Sequence, residues 1–301
     1  MDVETILKSV VAVRTTIPDD AFTAASLGTI REGSGVVIDA RGLVLTIGYL
    51  LTEAEEVWLT TGDGRSVPAH ALAYDQETGF GIVQSLGQLD LPALALGDSG
   101  SAALGDKAVL ADGKGRSVEV AIVAKQEFAG YWEYLLEEAI FTAPAHPSWG
   151  GAALVGQDGK LLGIGSLRLE MSRNGESAEI NMVVPINLLP PILEDLTMRG
   201  QVNRPPRPWL GVFSAESDGD VVVMSVAEGG PAAKAGLRSG DVISDVRDGE
   251  VDGLADFYRK VWSSGPAGAE VPMRIVREGR ETWLRVKSAD RNSFLRKPLL
   301  Q

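Results

Sequence analysis

What most narrows the fold is the spacing of apolar runs between residue 8 and about residue 186. The runs are short and are separated at close intervals by Gly, Asp and Pro, the pattern of an all-β barrel or sandwich. A parallel α/β fold would need long helices between its strands, and the sequence offers none there. Residues 10–14 open the series. Residues 35–39 and 43–46 read as a hairpin over Ala40-Arg41-Gly42, and residues 56–60 and 66–72 as a second one across the Asp63-Gly64 turn. Further strands are expected at residues 80–83, 107–110, 118–123, 131–134, 139–142 and 161–165.

Pro190 and Pro191 stand where a missing N–H costs least, so a helix is expected over residues 192–198, with Gly200 as its stop. Residues 201–208, with Pro205, Pro206 and Pro208, form a stiff linker. They divide a first domain, 1–200, from a second, 209–289, which is followed by a tail, 290–301, that reads as an exposed extension. In the second domain, strands near 212, 221–226, 272–276 and 282–286 accompany a short helix that ends at Gly236. Leu254, Phe257, Tyr258 and Val261 recur at helical spacing and predict an amphipathic helix. Glu216, Asp218 and Asp220 loosely suggest a calcium loop, but their strand flanks and Asp218-Gly219 favour a hairpin turn.

Charge and composition remove whole classes of function. A net charge of -13 argues against nucleic acid and anionic membranes, which need clustered Lys and Arg. With no cysteine and only two histidines, His70 and His146, thiolate chemistry and Cys- or His-rich metal centres drop out, and no cofactor is expected. Asp2 and Glu4 sit where a secretory signal needs positive charge, and no run approaches the ~18 apolar residues of a membrane helix. The chain therefore reads as cytoplasmic, or as periplasmic if a targeting segment is missing.

Residues 146–155, His-Pro-Ser-Trp-Gly-Gly-Ala-Ala-Leu-Val, lie between one expected strand and a turn into the next. This layout resembles the nucleophile loop of the HtrA/Deg family of trypsin-like serine proteases, Asn-Pro-Gly-Asn-Ser-Gly-Gly-Pro-Leu-Val/Ile. Gly33-Ser34-Gly35-Val36-Val37-Ile38-Asp39, residues 43–51, residues 74–83, residues 91–99 and Met182-Val183-Val184-Pro185-Ile186-Asn187 resemble further family phrases in the same order. The resemblance implies a mainly β chain, a trypsin-like (chymotrypsin-fold) double β-barrel followed by an α+β PDZ domain. It also places the triad positions at Tyr49 for the histidine, Gly79 for the aspartate and Gly150 for the serine. A triad works because a hydroxyl passes its proton to an imidazole held by a carboxylate. Glycine can serve none of those roles, and a tyrosine with an ordinary pKa of about 10 is a poor base at neutral pH. The chain is accordingly identified as a pseudoprotease of that family.

Two alternatives stay open. His146 and Ser148 form a rival nucleophile pair in the same loop, which would make the chain an active endopeptidase; or both domains serve only as structural docking surfaces. Gly150 and Gly151 are also candidates for a remnant oxyanion hole, beside Trp149.

Trp209-Leu210-Gly211-Val212, Gly-Pro-Ala-Ala-Lys-Ala-Gly-Leu at 230–237 and Gly-Asp-Val-Ile at 240–243 resemble the PDZ domain of the same family. A PDZ domain adds a peptide as an extra strand and captures its terminal carboxylate on backbone N–H groups. The resemblance makes Trp209, Leu210, Gly211 and Val212 the carboxylate loop and Phe213 the start of the pairing strand. Leu254, Phe257, Tyr258 and Val261 then line the groove or the core. The implied partners are unfolded or C-terminal peptides and an active HtrA relative, with self-association as a trimer. Leu299-Leu300-Gln301 is apolar enough to suggest a tail that folds into its own groove.

Overall fold

In strand β1 (Val10–Thr16), Val11, Val13 and Thr15 are buried while Arg14 and Thr16 face solvent, the two-residue period of a sheet laid on a core. β2 (Ile30–Val37), β3 (Leu43–Ile47), β4 (Glu56–Thr60), β5 (Ser66–Tyr74) and β6 (Phe80–Ser85) join it in a closed barrel of order β1-β2-β3-β6-β5-β4. Closure leaves no free edge. Both expected hairpins form, with Val36 opposite Leu45 and Leu59 opposite Val67. Val11, Val13, Val44, Leu59 and Val83 share the interior.

A second closed barrel, of order β10-β11-β12-β9-β8-β7, is made from β7 (Lys107–Ala111), β8 (Ser117–Gly130), β9 (Tyr134–Ala143), β10 (Ala153–Gly156), β11 (Leu161–Arg173) and β12 (Glu176–Pro185). Leu110, Ile122, Ile140, Leu154 and Val183 fill it. The helix Pro190–Arg199 follows and ends at Gly200, whose φ of 70° supplies the left-handed C-cap.

The computed structural model describes residues 3–173 and 176–296. Two compact units make up the chain: Met1–Gln126 with Glu138–Asn203 and Arg296–Gln301, and Glu127–Glu137 with Arg204–Leu295. The outer end of the β8–β9 hairpin thus belongs to the second unit. The rest of that unit is a sheet of order β13-β14-β15-β17-β18, built from β13 (Val212–Ser217), β14 (Asp220–Val226), β15 (Val242–Val246), β17 (Glu270–Arg277) and β18 (Arg280–Lys287), with the short β16 (Gly249–Glu250) beside β15. The helix Gly253–Trp262 buries Leu254, Phe257, Tyr258 and Val261 against Val223, Ile243 and Met273. Ser217 pairs with Asp220 across Asp218 and Gly219, both at positive φ, so the acidic trio is a two-residue hairpin turn.

Two expectations are corrected. Residues 131–133 are not a strand: β8 ends at Gly130, residues 131–133 make a turn, Glu133 holds a left-handed φ of 58°, and only Tyr134 of the expected strand is one, as the first residue of β9. Three aromatic side chains among four residues, Tyr131, Trp132 and Tyr134, gave the stretch the β-propensity of a strand, but propensity follows side-chain packing, and here the rings pack around a turn. The tail is not wholly free either. Asp290 caps a 3-10 turn, accepting from the Asn292 N–H at 2.9 Å, and the Phe294 ring packs on Trp209 with centroids 4.9 Å apart. Burying that ring is what draws the segment in. Leu299-Leu300-Gln301 lies outside the described residues.

Candidate functional site

Within the first unit, Tyr49 occupies a 3-10 turn, Gly48–Leu50, directly after β3. Its hydroxyl donates to the Ser166 carbonyl at 3.0 Å. Burial pushes the phenol above its ordinary value, against a hydrogen bond with Trp149 that acts in the opposite sense, so at neutral pH Tyr49 is a protonated donor. Gly150 stands directly opposite. A Cβ built on Gly150 would lie 2.7 Å from the Tyr49 hydroxyl, inside normal contact distance. The phenol at 49 and a side chain at 150 compete for one volume.

Gly79 is placed beside this turn: its φ is 81° and its carbonyl accepts from the Gly48 N–H at 2.7 Å. The Asp75 carboxylate, four residues earlier, folds back to accept from the N–H of Thr78 at 2.9 Å and from its hydroxyl at 2.8 Å, closing a local turn. Gly151, at φ 78°, has the Ser34 carbonyl only 1.9 Å from where a Cβ would be, so the close approach of two backbones demands glycine. Its N–H is spent on the Gly165 carbonyl at 2.8 Å. The expected remnant of an oxyanion hole is corrected to that extent, because a donor used inside the fold cannot serve a developing oxyanion. Trp149 lies 5.0 Å beneath the Arg168 guanidinium, a cation–π contact on the barrel surface. A cavity of about 360 Å³ opens along this loop, with Ser34, Tyr49, Asp112, Ser148 and Trp149 among its walls.

His146 is fully buried. Its Nδ1 accepts from the backbone N–H of Ser148 at 2.9 Å, which leaves the ring proton on Nε2, 4.0 Å from Asp112 Oδ2. Desolvation outweighs the Asp112 charge and lowers its pKa, so the ring is neutral at pH 7. Asp112 is itself held by Arg116, whose Nε and Nη2 lie 2.9 and 2.7 Å from Oδ2. The Ser148 hydroxyl accepts from the same Arg116. His146 and Ser148 are therefore neighbours, joined through the serine's backbone N–H, and the imidazole does face a carboxylate. Neither Asp112 nor Arg116 was read from the sequence as part of this loop. They come from the β7–β8 hairpin, and no local motif announces them. Among the described residues, no group of three acidic or histidine side chains could hold a metal.

In the second unit, the N–H groups of Leu210, Gly211 and Val212 converge on one carboxylate, that of Glu133. The distances are 3.0 Å from Leu210 to Oε2, and 2.7 and 3.0 Å from Gly211 and Val212 to Oε1. Gly211 makes the convergence possible, since its φ of 75° turns successive N–H groups to one side. Trp209 does not join them; its N–H goes to the Ala289 carbonyl at 3.0 Å. Ser214, next to Phe213 on β13, donates its N–H to the Tyr131 carbonyl at 2.9 Å. The Tyr258 hydroxyl donates to the Gly130 carbonyl at 2.7 Å and accepts from the Glu133 N–H at 3.2 Å. Leu254, Phe257 and Val261 share an apolar cluster with Leu135.

Glu133 is 6% exposed. Burial pushes its carboxyl up to about 7, although the three N–H groups and the nearby Arg291 charge pull it down. Sequence reading missed Glu133 altogether. The available signal was compositional: Phe128, Tyr131, Trp132 and Tyr134 crowd one short stretch of a chain that is only 6% aromatic.

Residues 33–164 match the family of trypsin-like peptidase domains, and residues 208–287 match the PDZ domain family. The chain is 27% identical over 265 residues to the periplasmic pH-dependent serine endoprotease DegQ of Escherichia coli (strain K12), covering 82% of this chain and 57% of that protein. It is 24% identical over 287 residues to the serine protease Do-like HtrA of Bacillus subtilis (strain 168), covering 85% and 63%. It therefore spans less than two thirds of either relative. Among solved structures, the HtrA-type protease AlgW with tripeptide superposes at a TM-score of 0.56 and 25% identity, over 98% of this chain and 96% of that one. The same protease with decapeptide gives 0.55 and 25% identity, covering 98% of each chain.

Proposed function

This chain belongs to the HtrA family, a trypsin-like peptidase domain followed by one PDZ domain, and from that premise we propose that it is a proteolytically inactive member that binds unfolded or C-terminal peptides as a chaperone-like adapter or regulator. One observation carries the loss of chemistry: the hydroxyl of Tyr49 fills the space a side chain at 150 would need, so no nucleophile and no imidazole meet there. The residual site offers a neutral phenol and glycine backbone, neither of which abstracts a proton at neutral pH. Peptide binding needs none of this, because the 210–212 loop presents N–H donors from the backbone. The periplasm, where DegQ acts by its name, is the compartment we infer. Self-association, or mixing with an active relative, belongs to the same proposal.

A second reading, a displaced nucleophile at Ser148, draws on the approach of Asp112 to His146. Against it, the Ser148 hydroxyl is engaged by Arg116 and its N–H, not its O–H, meets the imidazole. Degradation of a reduced, casein-like substrate separates the two. The adapter reading expects no cleavage across a range of temperatures with peptides added. Cleavage abolished both by Ser148→Ala and by a serine-directed phosphonate would overturn it.

A further inference from the structure

The carboxylate loop of the PDZ domain already holds a carboxylate, and it comes from the chain itself. Two further features of residues 130–135 copy a bound peptide. The Tyr131 carbonyl takes the Ser214 N–H on β13, as an added strand would, and the Tyr131 ring lies 6.3 Å from that of Phe213. Leu135 inserts its apolar side chain into the cluster that contains the helix Gly253–Trp262. The turn is held where it is. Glu133 adopts the left-handed conformation, uncommon for a residue other than glycine, and Arg259 is clamped between Glu127 and Glu137 at the two ends of the segment. A carboxylate in this position without its three donors would be a buried, unsatisfied charge, so its placement and the loop's geometry require each other.

We propose that the turn around Glu133 is a built-in pseudo-ligand: its carboxylate occupies the carboxylate loop, and a C-terminal peptide binds only by displacing it. This rests on the peptide-binding reading above and adds a condition to it. The groove is self-occupied, and the competitor has to match an internal acceptor present at a very high effective concentration. Free peptides therefore bind weakly to the native chain, and loss of the Glu133 side chain opens the site.

The test uses the full chain, as wild type, Glu133→Ala and the near-isosteric Glu133→Gln. The probe is a fluorescent pool of decapeptides with apolar C-terminal residues, prepared with either a free carboxylate or a terminal amide. Fluorescence anisotropy is expected to show Glu133→Ala binding the free-acid pool at least tenfold more tightly than wild type, Glu133→Gln, which keeps a neutral acceptor oxygen in the loop, close to wild type, and no gain for the amide pool. Hydrogen exchange without peptide provides a second readout: the Leu210, Gly211 and Val212 amides are protected in wild type and exchange faster in Glu133→Ala. Binding of the free-acid pool that is carboxylate-dependent but equal in all three proteins would overturn the pseudo-ligand and leave the peptide-binding reading intact. Amides at 210–212 that exchange freely in wild type would overturn it as well. No carboxylate-dependent binding by any of the three would overturn both.

Discussion

The 146–151 loop of the first unit and the 209–212 loop of the second are both short glycine-bearing turns beside a strand, but they obtain their chemistry from different parts of the chain. In the function proposed above, catalysis at the first would depend on three side chains, and at the positions proposed for them, 49, 79 and 150, the chain carries Tyr, Gly and Gly. Recognition as proposed at the second would depend on consecutive backbone N–H groups, which any sequence that keeps the turn retains. A side-chain site can be erased by substitution while the scaffold around it persists. A backbone site survives as long as the fold does, and control over it passes to whatever supplies the acceptor. Here that is Glu133.

If the first loop is kept for its shape, its tightest backbone contact should matter most to stability. Gly151→Ala adds a Cβ 1.9 Å from the Ser34 carbonyl at a φ of 78°. The left-handed conformation alone costs about 1–2 kcal/mol and the overpacking about 1–3 kcal/mol more. Urea unfolding should show a loss of about 3 kcal/mol or more, with little soluble protein at the upper end. A variant as stable as wild type would mean that the loop is loosely held and the contrast with 209–212 is weaker than drawn.

The competition between positions 49 and 150 gives a smaller effect and a sharper test. Gly150→Ser should destabilise the chain by about 1–2 kcal/mol, because its Cβ meets the Tyr49 hydroxyl. In a Tyr49→Phe background that hydroxyl is gone and the same substitution should cost about 1 kcal/mol less, a coupling that a double-mutant cycle resolves. Equal cost in the two backgrounds would show that the phenol does not block a side chain at position 150.

Much of the fold was legible because it rests on local signals. Alternating valines in β1, Pro190 and Gly200 at the ends of their helix, and Asp218-Gly219 in its hairpin each announce one local conformation. Tyr49 and Gly150 were singled out from aligned phrases, but their steric exclusion was not, since it depends on two backbones brought together from distant parts of the chain. The same holds for Asp112 beside His146. Glu133 was hidden for a further reason. A left-handed turn position is usually betrayed by Gly or Asn, and here a glutamate fills it between aromatic residues that read as a strand. Tertiary packing pays for that conformation, and sequence periodicity carries no trace of it.

The gentlest way to probe the second loop is pH. Burial raises the Glu133 carboxyl from 4.5 to about 7 when it is docked. A group raised on docking stabilises the docked state fully below its undocked value, and loses that contribution as pH climbs through about 7. Docking therefore weakens by about tenfold between pH 6 and pH 8 and is flat above. An incoming peptide carboxylate, with an ordinary pKa of about 3.5, stays ionised throughout that window. Of the charged groups facing Glu133, the Arg291 charge pulls its carboxyl down, and Tyr258 is pushed further above neutrality by burial and by the Glu133 charge. Arg259 is committed to Glu127 and Glu137. Affinity for free-acid peptides should accordingly rise by about tenfold from pH 6 to pH 8 in the wild type and stay flat in Glu133→Gln, as measured by anisotropy at constant ionic strength. An affinity that falls with pH, or the same slope in both proteins, would place the titrating group elsewhere and remove Glu133 as the gate.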